Sequence, residues 1–185
     1  MRPPADHPLA PYGWTAEVAA RYEAPVRAAF AAGRAEPGRV VRVERGFDTV
    51  RVAGGELLVA RAHPEFRAAG LRGAAGPVVG DWAAVSLGPE PAVVALAPRR
   101  GCLSRRDPRA RAVEQPVAAN VDVVVIAAPL DRAFNPRRLE RALVLVHEAG
   151  ADPLVALTKS DLADPTAVED ALAAAEALAA EGIEA

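Results

Sequence analysis

Cysteine is almost absent from this chain: Cys102 is the only one. A lone thiol excludes a disulfide framework and a cysteine-built zinc site within these residues, and it favours a reducing compartment. Aromatic side chains are sparse at 4%, too few for a surface that stacks several bases of a single strand. Long hydrophobic runs are missing as well. Asp122 and Asp131 bracket the longest apolar stretch, which falls short of the roughly 18 uncharged residues that read as a membrane span. The segment from Met1 to Trp14 is broken by Pro3, Pro4 and Pro8 and does not read as a signal peptide. Lysine is the last scarcity, because Lys159 is the only one and every other long cation is arginine.

What is present is enough for real cores. The apolar fraction is 51% over 185 residues, which suits one large domain or two small ones. A net charge of −2 predicts no overall bias toward nucleic acid or membrane, so any basic surface is local.

Along the chain, residues 1–14 read as a loose tail, and Thr15 is placed to cap a short helix through Phe30 that Pro25 interrupts or kinks. Pro37-Gly38 then breaks the chain, and the hydrophobic period changes from helix to strand. Val40, Val41 and Val43 precede a turn at Gly46-Phe47-Asp48. Thr49 to Val52 alternates cleanly, and Gly54-Gly55 joins it to Glu56–Ala62 as a hairpin. A Gly- and Ala-rich stretch follows from Pro64 to Gly76. Strands resume at Val78–Leu87 and Ala92–Ala97. Five short strands with a longer insertion after the third fit an OB-type β-barrel, with a small SH3-like barrel as the competing reading. Arg99, Arg100, Arg105, Arg106, Arg109 and Arg111 make residues 99–116 a basic connection, either a solvated linker or a phosphate contact.

The second half changes character. Val121–Ala128 is a continuous apolar run suited to a strand buried on both faces of a parallel sheet. Asn135-Pro136 is a cap followed by a first helical residue, and Leu139, Leu143 and Val146 line one helix face. Gly150 ends that helix. Leu154–Leu157 is a second strand. A further helix opens at Asp164-Pro165, or at Thr166 with Glu169 as a capping box, with Val168, Leu172, Ala175 and Leu178 inward. Ile183 reads as the start of another strand. Two strands do not make a stable sheet, so this domain is expected to be truncated here.

The strand at 154–157 runs directly into Thr158-Lys159-Ser160-Asp161. Thr-Lys-x-Asp after a buried strand is the pattern of a guanine-reading loop, with Thr in the place of the usual Asn. A carboxylate at Asp161 can accept hydrogen bonds from the ring N–H and the exocyclic amine of guanine, donors that adenine does not offer. The methylene stem of Lys159 can cover the base while its ammonium stays in water. The bland alternative is a solvated turn, since four residues alone are a weak motif. Composition argues against accident, because the single lysine of the chain stands in this loop.

A GTPase also needs a phosphate cradle of the form G-x-x-x-x-G-K-[ST], and this sequence has none. Either the nucleotide fold lacks its catalytic parts, or the motif order is permuted and the cradle follows residue 185. Several stretches are similar to the ribosome-small-subunit-dependent GTPase A family of circularly permuted GTPases. They are Gly38-Arg39-Val40, Pro77 to Trp82, Pro98-Arg99, Gln115 to Asp122, Phe134-Asn135 with Arg138 to Leu143, and Leu157 to Leu162. The resemblance implies an α+β two-domain fold: an N-terminal OB-type β-barrel followed by the first part of a P-loop-type α/β domain, truncated. Residues 1–37 are then a tail and short helix, 38–98 the barrel, 99–116 a basic linker and 117–185 the first part of the GTPase domain.

It further implies GTP hydrolysis to GDP and phosphate, dependent on the small (30S) ribosomal subunit and acting late in its maturation. GTP or GDP with Mg²⁺ are the expected ligands, and Zn²⁺ is expected only in a C-terminal domain that lies outside these residues. The expected partners are the subunit and its rRNA, with no membrane, for a cytoplasmic monomer. Thr158, Lys159, Ser160 and Asp161 map onto the family's guanine loop. No catalytic residue and no metal ligand maps onto this chain, which is expected to be inactive alone. The alternative function is a non-catalytic rRNA-binding barrel with a vestigial nucleotide domain. Candidate RNA contacts are Arg42, Arg51, Arg61, Arg99, Arg105 and Arg106, through phosphates and shape. Trp82 reads as core or rim, His63 as a surface or capping histidine and Cys102 as a structural thiol. Gln115 and Asn120 are candidates for ordering the joint between domains.

Overall fold

In the computed structural model, the described residues are 7–22, 35–44, 47–54, 57–62, 76–106 and 114–180. The chain divides into two units, Met1–Asn120 and Val121–Ala185. The expected kink at Pro25, the Gly/Ala-rich stretch 64–75 and His63 lie outside the described residues.

Alternating small apolar residues build the first unit. Strands β1 (Ala35–Glu44), β2 (Phe47–Val52), β3 (Leu57–Ala62), β4 (Trp82–Ser86) and β5 (Ala92–Leu96) pair in the order β1-β2-β3-β5-β4, and the ring closes between β4 and β1. Neighbours are antiparallel except β3 and β5, which meet in parallel at Arg61↔Ala92 and Ala62↔Val93. Val40, Val50, Val52, Ala83, Val85 and Val93 point inward and form its core. Each such fully buried valine contributes roughly 1.5–3 kcal/mol.

The sequence reading of Pro37-Gly38 as a break needs correction, since β1 runs through both residues. A Cβ on Gly38 would lie 2.4 Å from Val50 Cγ1. The glycine therefore marks a close approach of two strands, not a chain break.

Residues 7–14, expected as part of a loose tail, are packed. Leu9, Trp14, Val18, Ala19 and Tyr22 are buried with Trp82, Ala84 and Ala97 in a second cluster. Trp14 meets Trp82 edge to face at 4.9 Å and Tyr22 at 5.4 Å. This explains why β4 is buried on both faces: Ala83 and Val85 face the barrel interior, while Trp82 and Ala84 lie under the N-terminal segment. Burial, and secondarily Glu36, pushes the Tyr22 hydroxyl above its ordinary range. Thr15 caps the helical residues 16–22, its hydroxyl accepting from the Val18 amide at 3.3 Å.

The expected linker also holds structure. β6 (Cys102–Arg106) and β7 (Glu114–Ala119) form an antiparallel pair. The arginine run hides the strand pattern, because charged residues such as the exposed Arg105 interrupt the apolar alternation that marks a half-buried strand.

Gly80 holds these pieces together. Its φ is +91°, and a Cβ there would fall 2.0 Å from the Ala119 carbonyl oxygen. Its amide donates to Val40 O at 2.8 Å, and its own carbonyl accepts from Asn120 Nδ2 at 2.9 Å. Gly80→Ala is therefore expected to destabilise the first unit by about 3 kcal/mol, from left-handed strain plus a backbone clash. Chemical denaturation of the variant measures this, and an unchanged midpoint would contradict it.

The second unit pairs β8 (Val123–Pro129) with β9 (Asp152–Thr158) in parallel, from Val123↔Asp152 to Pro129↔Thr158. Helix α1 (Pro136–Glu148) connects them, and α2 (Pro165–Ala180) follows β9. Leu139, Leu143 and Val146 are buried on α1, as its periodicity predicts. Leu139, Leu143 and Ala175 pack with Ile126, Val155 and Leu178.

Two expectations fail here. β8 is not buried on both faces: Val123 and Val125 are 53% and 58% exposed, because the helices cover one side of a two-stranded sheet. On α2, Leu172 is half exposed and Ala171 takes the buried position. An alanine-rich helix has little side-chain contrast to fix its rotation, and the smaller residue permits closer approach.

Candidate nucleotide-base loop

The in-register parallel pair brings the carboxyl ends of β8 and β9 to the same edge. There the ladder extends by one more bond, from the Leu130 amide to Thr158 O at 2.8 Å. The crevice outside the carboxyl ends of parallel strands is where open α/β sheets bind ligands. Loop 130–135 leaves this edge from β8, and loop 159–164 leaves it from β9.

Asn135 ends the first loop as the cap of α1, its side chain accepting from the Arg138 amide at 3.2 Å, with Pro136 next. In the second loop, Thr158 is the last strand residue. Lys159 turns the chain with φ 59° and ψ 35°. A left-handed lysine costs roughly 1–2 kcal/mol, so the sharp turn here is held by its surroundings. Ser160–Leu162 then makes one 3-10 turn, closed by the Leu162 amide on Lys159 O at 3.1 Å. Asp164 caps α2: its carboxylate accepts from the Thr166 amide at 3.0 Å and from the Thr166 hydroxyl, which holds the carboxyl below its ordinary range.

The four loop residues predicted from sequence thus stand together and exposed at the sheet's carboxyl edge. Asp161 sits in the first turn after the left-handed lysine, and no hydrogen bond or ion pair holds its carboxylate among the described residues. Such a carboxylate is available to a ligand. Lys159 Nζ donates to the Asp131 carboxylate across the two loops. That hydrogen bond is the foremost cause of the lowered Asp131 pKa. Sequence reasoning missed Asp131. Its one signal is position, two residues beyond the end of β8, opposite the start of the Lys159 loop.

A cleft of about 370 Å³ opens beside the β8 edge, lined among others by Pro129, Arg132, Phe134, Asn135 and Arg138. None of residues 158–161 lines it.

The candidate RNA-contacting arginines do not gather in one place. Arg99 is spent inside the first unit. Its Nε and Nη2 grip the fully buried Asp81 carboxylate at 2.8 Å each, and Nη2 also donates to Gly76 O at 2.9 Å. The Asp81 hydrogen bond raises the Arg99 pKa, more than burial lowers it. Arg99 is thus a structural residue, which corrects its assignment to RNA. The guanidinium of Arg51 lies 5.5 Å from the Tyr12 ring centroid, under the N-terminal segment and not on an open face. Arg42 is exposed and pairs with Glu44. Arg105 is exposed and donates to Gln115 Oε1 at 3.2 Å. Arg61 and Arg106 are placed on β3 and β6 by their backbones alone.

Asn120, with φ 53°, ties the exit of the first unit together. Its side chain accepts from the Arg100 amide at 2.9 Å and donates to Gly80 O. The structure also brings in Arg39, which the sequence reading passed over: it lies over the Trp82 ring at 4.7 Å and donates to Asn120 O at 3.1 Å.

Comparison with known proteins adds a second line. Residues 96–184 match the sequence model of a family described as RsgA GTPase. A protein named small ribosomal subunit biogenesis GTPase RsgA from Syntrophotalea carbinolica is 41% identical over 139 residues, 70% of this chain and 38% of that protein. One of the same name from Xanthomonas oryzae is 40% identical over 162 residues, 87% of this chain and 43% of that protein. Among solved structures, YjeQ from Thermotoga maritima superposes with a TM-score of 0.59 at 19% identity, covering 77% of this chain and 48% of that one. YloQ, described as a circularly permuted GTPase, gives 0.52 at 24% identity, covering 78% of this chain and 48% of that one. The chain therefore spans about two fifths of the curated relatives' length.

Proposed function

Because the chain belongs to the RsgA GTPase family, matched over residues 96–184, we propose that the whole protein hydrolyses GTP in the biogenesis of the small ribosomal subunit, and that Thr158, Lys159, Ser160 and Asp161 read the guanine. The observation that carries this reading is the delivery of the Asp161 carboxylate, without a partner among the described residues, to the carboxyl edge of β8 and β9, two residues beyond a left-handed lysine. Guanine offers that carboxylate two N–H donors. Adenine would leave it without them, at roughly 1–3 kcal/mol. The Lys159 stem lies over the base face, and Thr158 reaches the base edge or a neighbouring loop.

In this reading a G-x-x-x-x-G-K-[ST] loop binds the phosphates, a pattern that residues 1–185 do not contain. Mg²⁺ in such a site is held by nucleotide phosphates and the phosphate loop. Among the described residues no cluster of three His, Cys, Asp or Glu side chains fits a metal ion.

The barrel is read as OB-type and not SH3-like, on the strength of its parallel β3–β5 closure. Contact with rRNA falls to the exposed Arg42 and to Arg61 on the barrel, and to the exposed Arg105 and to Arg106 on β6, and excludes Arg99. No helix among the described residues is long and apolar enough to cross a membrane. A role in biogenesis of the small subunit, as its relatives' names give it, supports action in the cytoplasm.

The test uses the whole protein with purified small subunits. GTP turnover is expected to rise by at least about tenfold when subunits are added, some 1.4 kcal/mol off the barrier. No hydrolysis above background in either condition would overturn the enzymatic reading in favour of a barrel that only binds rRNA.

A further inference from the structure

The ion pair between Lys159 and Asp131 extends the link between β8 and β9 from their backbones into the two loops that follow them. Thr158 and Pro129 are register partners at the ends of β9 and β8, and the bond from the Leu130 amide to Thr158 O fixes the next step. Asp131 and Lys159 then follow on their separate loops, and the left-handed turn at Lys159 sends its side chain across to the carboxylate. A lysine stem has four rotatable bonds, so one that must lie along a base plane loses much rotamer freedom on binding. Anchoring its ammonium beforehand removes part of that loss. The only other cation beside Asp131 is Arg132, at 3.9 Å, among the described residues.

We propose that Asp131 is a positioning residue for the base-reading loop: it holds Lys159 extended before the nucleotide arrives, so that the stem is ready to cover a purine. This rests on the guanine-loop reading above. Asp131 touches no base atom. It acts on stacking through Lys159, while Asp161 reads the exocyclic groups.

The two roles separate in an equilibrium titration of the whole protein with fluorescent GDP, IDP and XDP. Asp131→Asn is expected to raise the Kd for GDP and IDP equally, by roughly two- to fivefold, the range an exposed pair supports. Asp131→Glu, which keeps the charge, restores most of the affinity. Arg132→Ala leaves it unchanged. In about 1 M salt, where the Debye length falls to about 3 Å, the difference between wild type and Asp131→Asn closes. Wild-type affinity for Asp131→Asn at low salt, or an equal loss for Arg132→Ala, overturns the proposal. Asp161→Asn serves as the separate control. If it leaves the preference for guanine over xanthine unaltered, the base-reading assignment itself has failed, whatever Asp131 does.

Discussion

Asp161→Asn in the whole protein is expected to exchange guanine preference for xanthine preference, changing the GDP-to-XDP affinity ratio by roughly a hundredfold. The carboxylate accepts from both the ring N–H and the amine of guanine. An amide in its place offers one acceptor and one donor, so a donor on the protein meets the donor amine of guanine, whereas the additional carbonyl of xanthine finds a partner. A charge-assisted hydrogen bond contributes about 1.5–3 kcal/mol, and about 1.4 kcal/mol is a tenfold change in affinity. Losing one such bond for guanine while gaining one for xanthine gives the hundredfold. Because Asp161 is exposed and holds no other described residue, the substitution should leave the unfolding midpoint alone. The effect is thus read in binding, not in stability.

The largest effect on stability is expected in the first unit. Asp81 is completely buried, and its carboxylate accepts from the Val78 amide at 2.9 Å and twice from Arg99 at 2.8 Å. Removing one partner of a buried, hydrogen-bonded ion pair costs about 3–5 kcal/mol, because the other charge remains without compensation. Asp81→Ala and Arg99→Ala should each lower stability on that scale, as read by urea denaturation. Arg99→Lys should rescue only part, since an ammonium cannot bridge both carboxylate oxygens with the fixed fork of a guanidinium. A loss below about 1 kcal/mol for Arg99→Ala, the range of an exposed pair, would show that solvent reaches the bridge and that the pair does not hold residues 76–81 to the barrel exit.

These two sites also show what a sequence exposes and what it hides. The loop at 158–161 is legible because its chemistry is local: a strand, a turn and four residues whose types suit one ligand. Helix α1 is legible for a similar reason, with Asn135 and Pro136 marking its start and Leu139, Leu143 and Val146 its buried stripe. The five barrel strands show as short apolar runs separated by turn residues, with alternation clean only at Thr49 to Val52.

Tertiary pairing is what escapes. Asp81 gives no local sign that Arg99, eighteen residues on, will neutralise it, so the arginine reads as one more surface cation. Asp131 meets Lys159 only through the parallel register of β8 and β9. The N-terminal segment looks loose because its prolines break periodicity, yet Leu9, Trp14 and Tyr22 supply the cover that Trp82 needs. On α2 the high alanine content cannot say which face turns inward, and Leu172 is exposed where Ala171 is buried.

The account comes down to where a purine lies relative to one carboxylate. The direct measurement is a crystal structure of the whole protein with GDP bound. It should show an Asp161 carboxylate oxygen about 2.7–3.0 Å from guanine N1 and the other equally close to the exocyclic amine, with the Lys159 stem along the base. GDP seated elsewhere, or an Asp161 carboxylate turned from the base into solvent, would contradict it.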